Sequence, residues 1–131
     1  MSNPVNNAMG LTGKRILIVD DDTVSRIFLR ELLVQSGAVL DFVRNGYELQ
    51  KYIGSNPEPD VILIDVKLPD ADGVELAAQL LAKKPGLRVV AETAYAIEGL
   101  DEKCRDYGLK GCVYKPINKD ELLKLLLKVA E

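Results

Sequence analysis

From Lys14 onward the chain alternates short apolar runs with longer stretches of helical period, and no other feature constrains its fold as tightly. Five apolar runs read as strands: Ile16–Val19, Val39–Val43, Val61–Ile64, Leu87–Ala91 and Cys112–Tyr114. The first and third are unbroken, as parallel strands covered on both faces require, while the second and fifth are more mixed and read as sheet edges. Helix ends are legible between them. Gly37, Gly54 and Gly108 each follow a periodic stretch where a left-handed residue would stop a helix. Asp72 with Glu75, and Asn118 with Glu121, pair a capping side chain with a carboxylate three residues on, which marks helix starts. In the last helix Leu122, Leu126 and Val129, with Leu123 and Leu127 beside them, form one apolar face. Five consecutive βα units predict a doubly wound α/β sheet of five parallel strands in the order 2-1-3-4-5.

At 131 residues the chain fits one domain. Residues 1–13 are small and polar without periodicity and read as a flexible tail, leaving 14–131 as the folded unit. The first lysine is Lys14, so no charged start of a secretory signal is present, and no apolar run approaches the roughly 20 residues that cross a bilayer. The final helix runs to the last residue, so no output domain is expected after it. Seventeen Lys and Arg against twenty Asp and Glu give a net charge of -3, which supplies no basic excess for nucleic acid or an anionic membrane. Histidine is absent, which excludes Ser-His-Asp and Cys-His catalysis, His-ligated metals and a phosphohistidine carried on this chain. The two cysteines, Cys104 and Cys112, read as free thiols used in packing, in a reducing, cytoplasmic setting.

In an open parallel sheet, ligands bind beyond the carboxyl ends of the strands, where the strand order reverses. The reactive side chains of this sequence fall there. Strand one leads into Asp20 and Asp21, strand three into Asp65, strand four into Thr93, and strand five into Lys115 before Pro116. In the order 2-1-3-4-5 these four strands are neighbours, so the groups converge on one pocket. Three clustered carboxylates repel one another unless a cation neutralises them, and hard oxygen donors with no imidazole or thiolate select Mg²⁺. A carboxylate can also accept a phosphoryl group covalently, a transfer that depends on alignment and on neutralising the phosphoryl oxygens. Mg²⁺, the Lys115 ammonium and the Thr93 hydroxyl together could supply that neutralisation. Asp22 reads as a helix cap.

Four segments, "ILIVDDD" at 16–22, "VILIDVKLPDADG" at 61–73, "ETAYA" at 92–96 and "YKPI" at 114–117, resemble the receiver domains of bacterial two-component signalling. The likeness spans 14–131 and is greatest to the receivers that follow hybrid sensor histidine kinases. It implies a flavodoxin-like (βα)5 fold and a phosphorelay role, in which Asp65 accepts a phosphoryl group from a histidine kinase or histidine phosphotransfer protein. It further implies that Asp20, Asp21, Asp65 and the Lys67 carbonyl hold Mg²⁺, with Asp21 a direct ligand. Thr93 would bond a phosphoryl oxygen, Ala94 would leave room for it, Lys115 would pair with it, and the Lys115–Pro116 bond would be cis. The only chemistry implied is the domain's own phosphorylation and dephosphorylation. Neither nucleic acid nor membrane is an expected partner, whereas phosphorylation-dependent dimerisation is compatible with the resemblance.

One position departs from the pattern. Cys112 stands three residues before Lys115, where such receivers carry an aromatic ring that turns with the threonine. Tyr95 and Tyr114 are the candidates to replace it, with Tyr95 preferred because it lies in the loop 93–98 that must move. Two other classes compete. Asp20 to Val24 also fits the start of a haloacid-dehalogenase-type phosphatase with Asp20 as nucleophile, although strand four lacks the acidic pair such enzymes carry and the chain has no length for a cap. A flavin carrier would need a hydroxyl-rich phosphate loop after strand one, where this chain has acids.

Overall fold

In the computed structural model, which describes residues 10–131, five parallel strands form one sheet in the order β2-β1-β3-β4-β5. The strands are β1 (Arg15–Val19), β2 (Val39–Val43), β3 (Val61–Asp65), β4 (Val89–Thr93) and β5 (Gly111–Tyr114). The helices are α1 (Thr23–Leu33), α2 (Gly46–Ser55), α3 (Gly73–Lys83), α4 (Leu100–Asp106) and α5 (Lys119–Val129), and a 3-10 turn at Val34–Ser36 follows α1. The expected architecture and strand order are those observed.

Alternation along the strands divides the core into two layers. Leu17 and Val19 of β1, Ile62 and Ile64 of β3 and Val89 and Ala91 of β4 face α2, α3 and α4 through Leu49, Ala77, Leu80, Leu100 and Cys104. Ile16, Ile18, Leu63 and Val90 face α1 and α5 through Leu29, Leu33, Leu122 and Leu126. Helices thus cover both faces, so the inner strands β1, β3 and β4 are buried almost throughout. The edge strands are less buried, as their mixed composition suggested.

Local structure corrects the sequence reading in three places. Strand β4 begins at Val89 instead of Leu87, because the Leu87 amide closes a turn onto the Lys84 carbonyl (3.1 Å), and it runs on through Thr93. Gly54 does not stop a helix: it lies inside α2, which continues to Ser55, whereas Gly37 (φ 86°) and Gly108 (φ 90°) are left-handed as expected. Of the expected tail, residues 1–9 lie outside the described residues. Residues 10–13 form a turn in which the Leu11 amide bonds the Ser36 carbonyl (3.0 Å) and the Leu11 side chain is buried beside α1 and α5. The caps behave as read: Asp72 accepts from the amides of Val74 and Glu75, Asn118 from that of Glu121, and Asp22 from that of Ser25. Helix α2 is capped in the same way, with Asn45 accepting from the Glu48 amide.

Candidate functional site

Strand direction brings the carboxyl ends of β1, β3, β4 and β5 to one edge of the sheet. Helices α1 and α3, which leave β1 and β3, pack on opposite faces and open a crevice between them. Asp20, Asp65 and Lys115 meet in it. The Lys115 Nζ lies 3.4 Å from Asp20 Oδ2 and 3.4 Å from Asp65 Oδ2, linking residues 95 and 50 positions apart in sequence. Asp21 completes an acidic group: one oxygen from each of Asp20, Asp21 and Asp65 lies within 4.8 Å of the others. This all-oxygen donor set fits a hard divalent cation.

The three carboxylates differ in environment. The Asp20 side chain is fully buried, with Oδ1 accepting from the Asp22 amide at 2.9 Å. Burial alone would raise its pKa, but hydrogen bonding with Glu92 and from the Asp22 amide and Ser25, together with the Lys115 charge, outweighs burial and holds it below the usual aspartate value. Asp65 is partly open to solvent, and its Oδ1 accepts from the Lys67 amide at 3.0 Å. Burial raises its pKa and the Asp20 charge adds to this, against the opposing pull of the Lys67 amide and Lys115. Asp21 is exposed. For Lys115, burial works against the ammonium, yet Glu92, Asp20 and Asp65 around it keep its pKa above the ordinary lysine value.

The loop after β3 is held tightly under Asp65. Lys67 and Asp72 form an isolated antiparallel bridge, and the Gly73 amide bonds the Val66 carbonyl at 2.7 Å. The Asp70 carboxylate in this loop accepts from the amides of Gly46 (2.8 Å) and Tyr47 (3.0 Å), tying it to the start of α2. On the other side, Thr93 is buried, its Oγ1 accepting from the Tyr95 amide at 3.1 Å. Ala94 is exposed, and the Lys67 ammonium lies 4.6 Å from the centre of the exposed Tyr95 ring. The Lys115–Pro116 peptide is cis.

Every residue singled out at the strand ends is therefore at this edge. Cys112 and Tyr114 lie further back on β5 toward α4: Cys112 packs on the layer that contains Cys104, and the Tyr114 hydroxyl donates to Asp101 Oδ1 at 3.0 Å. Both cysteines are free. Sequence reasoning missed one residue of the site. Glu92 is fully buried in β4, and its Oε1 lies 3.9 Å from the Lys115 Nζ. Burial first, then the facing Asp20, pushes its pKa up to about 10. The available signal was a carboxylate inside a central strand that is otherwise apolar up to Thr93.

Residues 16–127 match the family model of the response regulator receiver domain. The chemotaxis protein CheY of Listeria monocytogenes is 31% identical over 119 residues, which cover 89% of this chain and 98% of that protein. The sensor protein TorS of Escherichia coli is 30% identical over 122 residues, 93% of this chain but 13% of TorS. Among solved structures, a CheY-like receiver domain protein from Methanospirillum hungatei superposes with a TM-score of 0.81 at 29% identity, covering 89% of this chain and 93% of that one.

Proposed function

The chain belongs to the response regulator receiver domain family, a family of signalling domains and not of catalytic enzymes, and on that premise we propose that Asp65 is its phosphoacceptor. The observation that carries the assignment is the contrast between two aspartates facing the same ammonium. Asp65 keeps part of its carboxylate open to solvent, whereas the Asp20 side chain has none exposed. A nucleophile must reach its donor. Asp20 is sealed beneath the pocket, so the phosphatase reading with Asp20 as nucleophile loses its reactive atom.

An Asp65 oxygen attacks the phosphorus of a phosphohistidine on a histidine kinase or phosphotransfer protein. The P–N bond breaks, its electron pair returns to the imidazole, which takes up a proton, and an acyl phosphate forms on Asp65. Dephosphorylation is a separate hydrolysis, in which water attacks the phosphorus and the Asp65 carboxylate leaves, releasing inorganic phosphate. Asp20, Asp21, Asp65 and the Lys67 carbonyl are the groups to hold Mg²⁺, which when bound neutralises charge on the phosphoryl oxygens. Lys115 supplies a second positive charge. Thr93 can turn its hydroxyl from Tyr95 to a phosphoryl oxygen past the small Ala94. The free thiols fit a reducing, cytoplasmic setting, and among the described residues no helix is long and apolar enough to cross a membrane.

Incubation with acetyl phosphate followed by intact-mass spectrometry tests this reading. One phosphoryl adduct is expected with Mg²⁺, and none in excess chelator or in Asp65→Asn. Equal labelling of Asp65→Asn would remove Asp65 from the role.

A further inference from the structure

Four polar side chains are buried among the described residues: Asp20, Ser36, Glu92 and Thr93. Asp20 and Thr93 belong to the site, and Ser36 is satisfied locally, donating to the Leu33 carbonyl and accepting from the Ala38 amide. Glu92 remains. It sits in a strand with neighbours on both sides, as the register partner of Asp65 on β3 and of Val113 on β5. An aliphatic residue would fill that place without penalty, whereas a buried carboxyl is tolerated only with partners.

No N–H or hydroxyl of the described residues bonds to either Glu92 oxygen. Two groups stand close. One is the Asp20 carboxyl, which faces Glu92 as a like group and offers it no N–H or hydroxyl. The other is the Lys115 Nζ at 3.9 Å. These neighbours have different duties in the transfer proposed above: Asp20 stands on the cation side, Lys115 on the phosphoryl side. An ammonium has three N–H donors, and at rest three carboxyls surround this one: Asp20, Asp65 and Glu92. Once a cation engages Asp20 and a phosphoryl group is bonded to Asp65, Glu92 is the one acceptor of the three left uncommitted.

We propose that Glu92 is a positioning residue that braces Lys115 from beneath the pocket and keeps its ammonium aimed at the phosphoryl group throughout the transfer to Asp65. The inference rests on Asp65 being the acceptor. Glu92 stands behind Lys115 and acts by presenting an oxygen to its ammonium. Glutamine has the same shape and keeps an oxygen for the ammonium, while methionine has the length and no such oxygen.

The test uses the intact chain in five forms: wild type, Glu92→Gln, Glu92→Met, Lys115→Ala, and Lys115→Ala combined with Glu92→Met. Labelling rates with acetyl phosphate are read by intact mass at saturating Mg²⁺, with Asp65→Asn as the control. Glu92→Met is expected to slow labelling at least tenfold, a cost on the order of that seen when a reacting group is misplaced by a fraction of an ångström. Glu92→Gln is expected within about threefold of wild type, and in the Lys115→Ala background Glu92→Met should add no further loss. Thermal unfolding checks that each variant is folded, and Glu92→Leu replaces Glu92→Met if the latter is not. A Met variant as fast as wild type overturns the proposal, as does a Gln variant as slow as Met, or an undiminished Met effect without Lys115. Labelling of Asp65→Asn at the wild-type rate overturns the acceptor assignment and the Glu92 role with it, whereas labelling confined to Asp65 with an indifferent Met variant overturns the Glu92 role alone.

Discussion

Gly73, the first residue of α3, lies so close against the main-chain carbonyl of Asp65 that a Cβ there would overlap its oxygen. The neighbouring Val66 Cα lies 3.2 Å from the same Cβ position, so a larger residue must displace the backbone that carries Asp65. Gly73→Ala is expected to lose about 1–3 kcal/mol of stability, as overpacking against rigid backbone does, and to label more slowly with acetyl phosphate. Gly86→Ala is the control, because nothing lies within 4 Å of its Cβ position, and it should stay within about 0.5 kcal/mol of wild type. Urea unfolding and a labelling time course measure both. A Gly73→Ala protein as stable and as reactive as wild type would show that this contact does not constrain Asp65.

Lys115 neutralises Asp20 and Asp65 from one point. Its removal leaves the two carboxylates facing each other in a half-buried pocket, so Lys115→Ala is expected to lose about 1–3 kcal/mol in chelator. Divalent cation supplies the missing charge, so Mg²⁺ should stabilise the variant more than it stabilises wild type. Thermal unfolding with and without Mg²⁺ measures this difference, and a smaller Mg²⁺ effect in the variant would argue against a shared neutralising role for ammonium and metal.

The Thr93 hydroxyl has one hydrogen, aimed at rest at the Tyr95 carbonyl (3.3 Å), and cannot give it to a phosphoryl oxygen as well. Phosphorylation should therefore turn Thr93 away from the Tyr95 backbone, loosening the bond its oxygen accepts from the Tyr95 amide, and exchange of that amide should quicken. In Thr93→Val the amide is unprotected from the start, and phosphorylation should leave its exchange unchanged. The same measurement addresses Tyr95 as the replacement for the ring that Cys112 lacks. Its ring is exposed and rests beside the Lys67 ammonium, whereas the Tyr114 hydroxyl donates to Asp101. Unaltered Tyr95 exchange in phosphorylated wild type would remove the loop from the switch.

Glu92 makes stability depend on pH. Its pKa is raised on folding, first by burial and then by the facing Asp20, to about 10 from 4.5. A group of this kind contributes stability in full below the unfolded value and loses it as pH rises toward the folded value. Glutamine does not titrate. Measured in chelator, the melting temperature of Glu92→Gln relative to wild type should therefore rise from pH 5 to pH 9. A difference that is flat across this range would mean that Glu92 titrates normally in the folded chain.

Much of this site was legible in the sequence because parallel strands impose order on whatever follows them. Once Ile16–Val19 and Val61–Ile64 are read as buried strands, Asp20, Asp21 and Asp65 have one edge to occupy, and Lys115 follows from β5 in the same way. Glu92 was not legible by that rule, since it lies within a strand and not after one, and its neighbours Asp20 and Lys115 come from beyond β1 and β5. Gly54 misled for a related reason: a glycine after a periodic stretch resembles a stop, but α2 continues one residue further to Ser55, and only backbone geometry separates the two cases. The buried Leu11 escaped notice because a single apolar residue in a polar segment has no period to reveal it.

The most direct test of Asp65 as phosphoacceptor is the chemical identity of the labelled residue. Borohydride reduces an acyl phosphate to an alcohol, so treating the phosphorylated chain with borohydride and sequencing its peptides by mass spectrometry marks the side chain that carried the phosphoryl group. The expected result is reduction at position 65 alone, present with Mg²⁺ and absent in chelator. Reduction at position 20, or a phosphorylated chain with position 65 untouched, would contradict it.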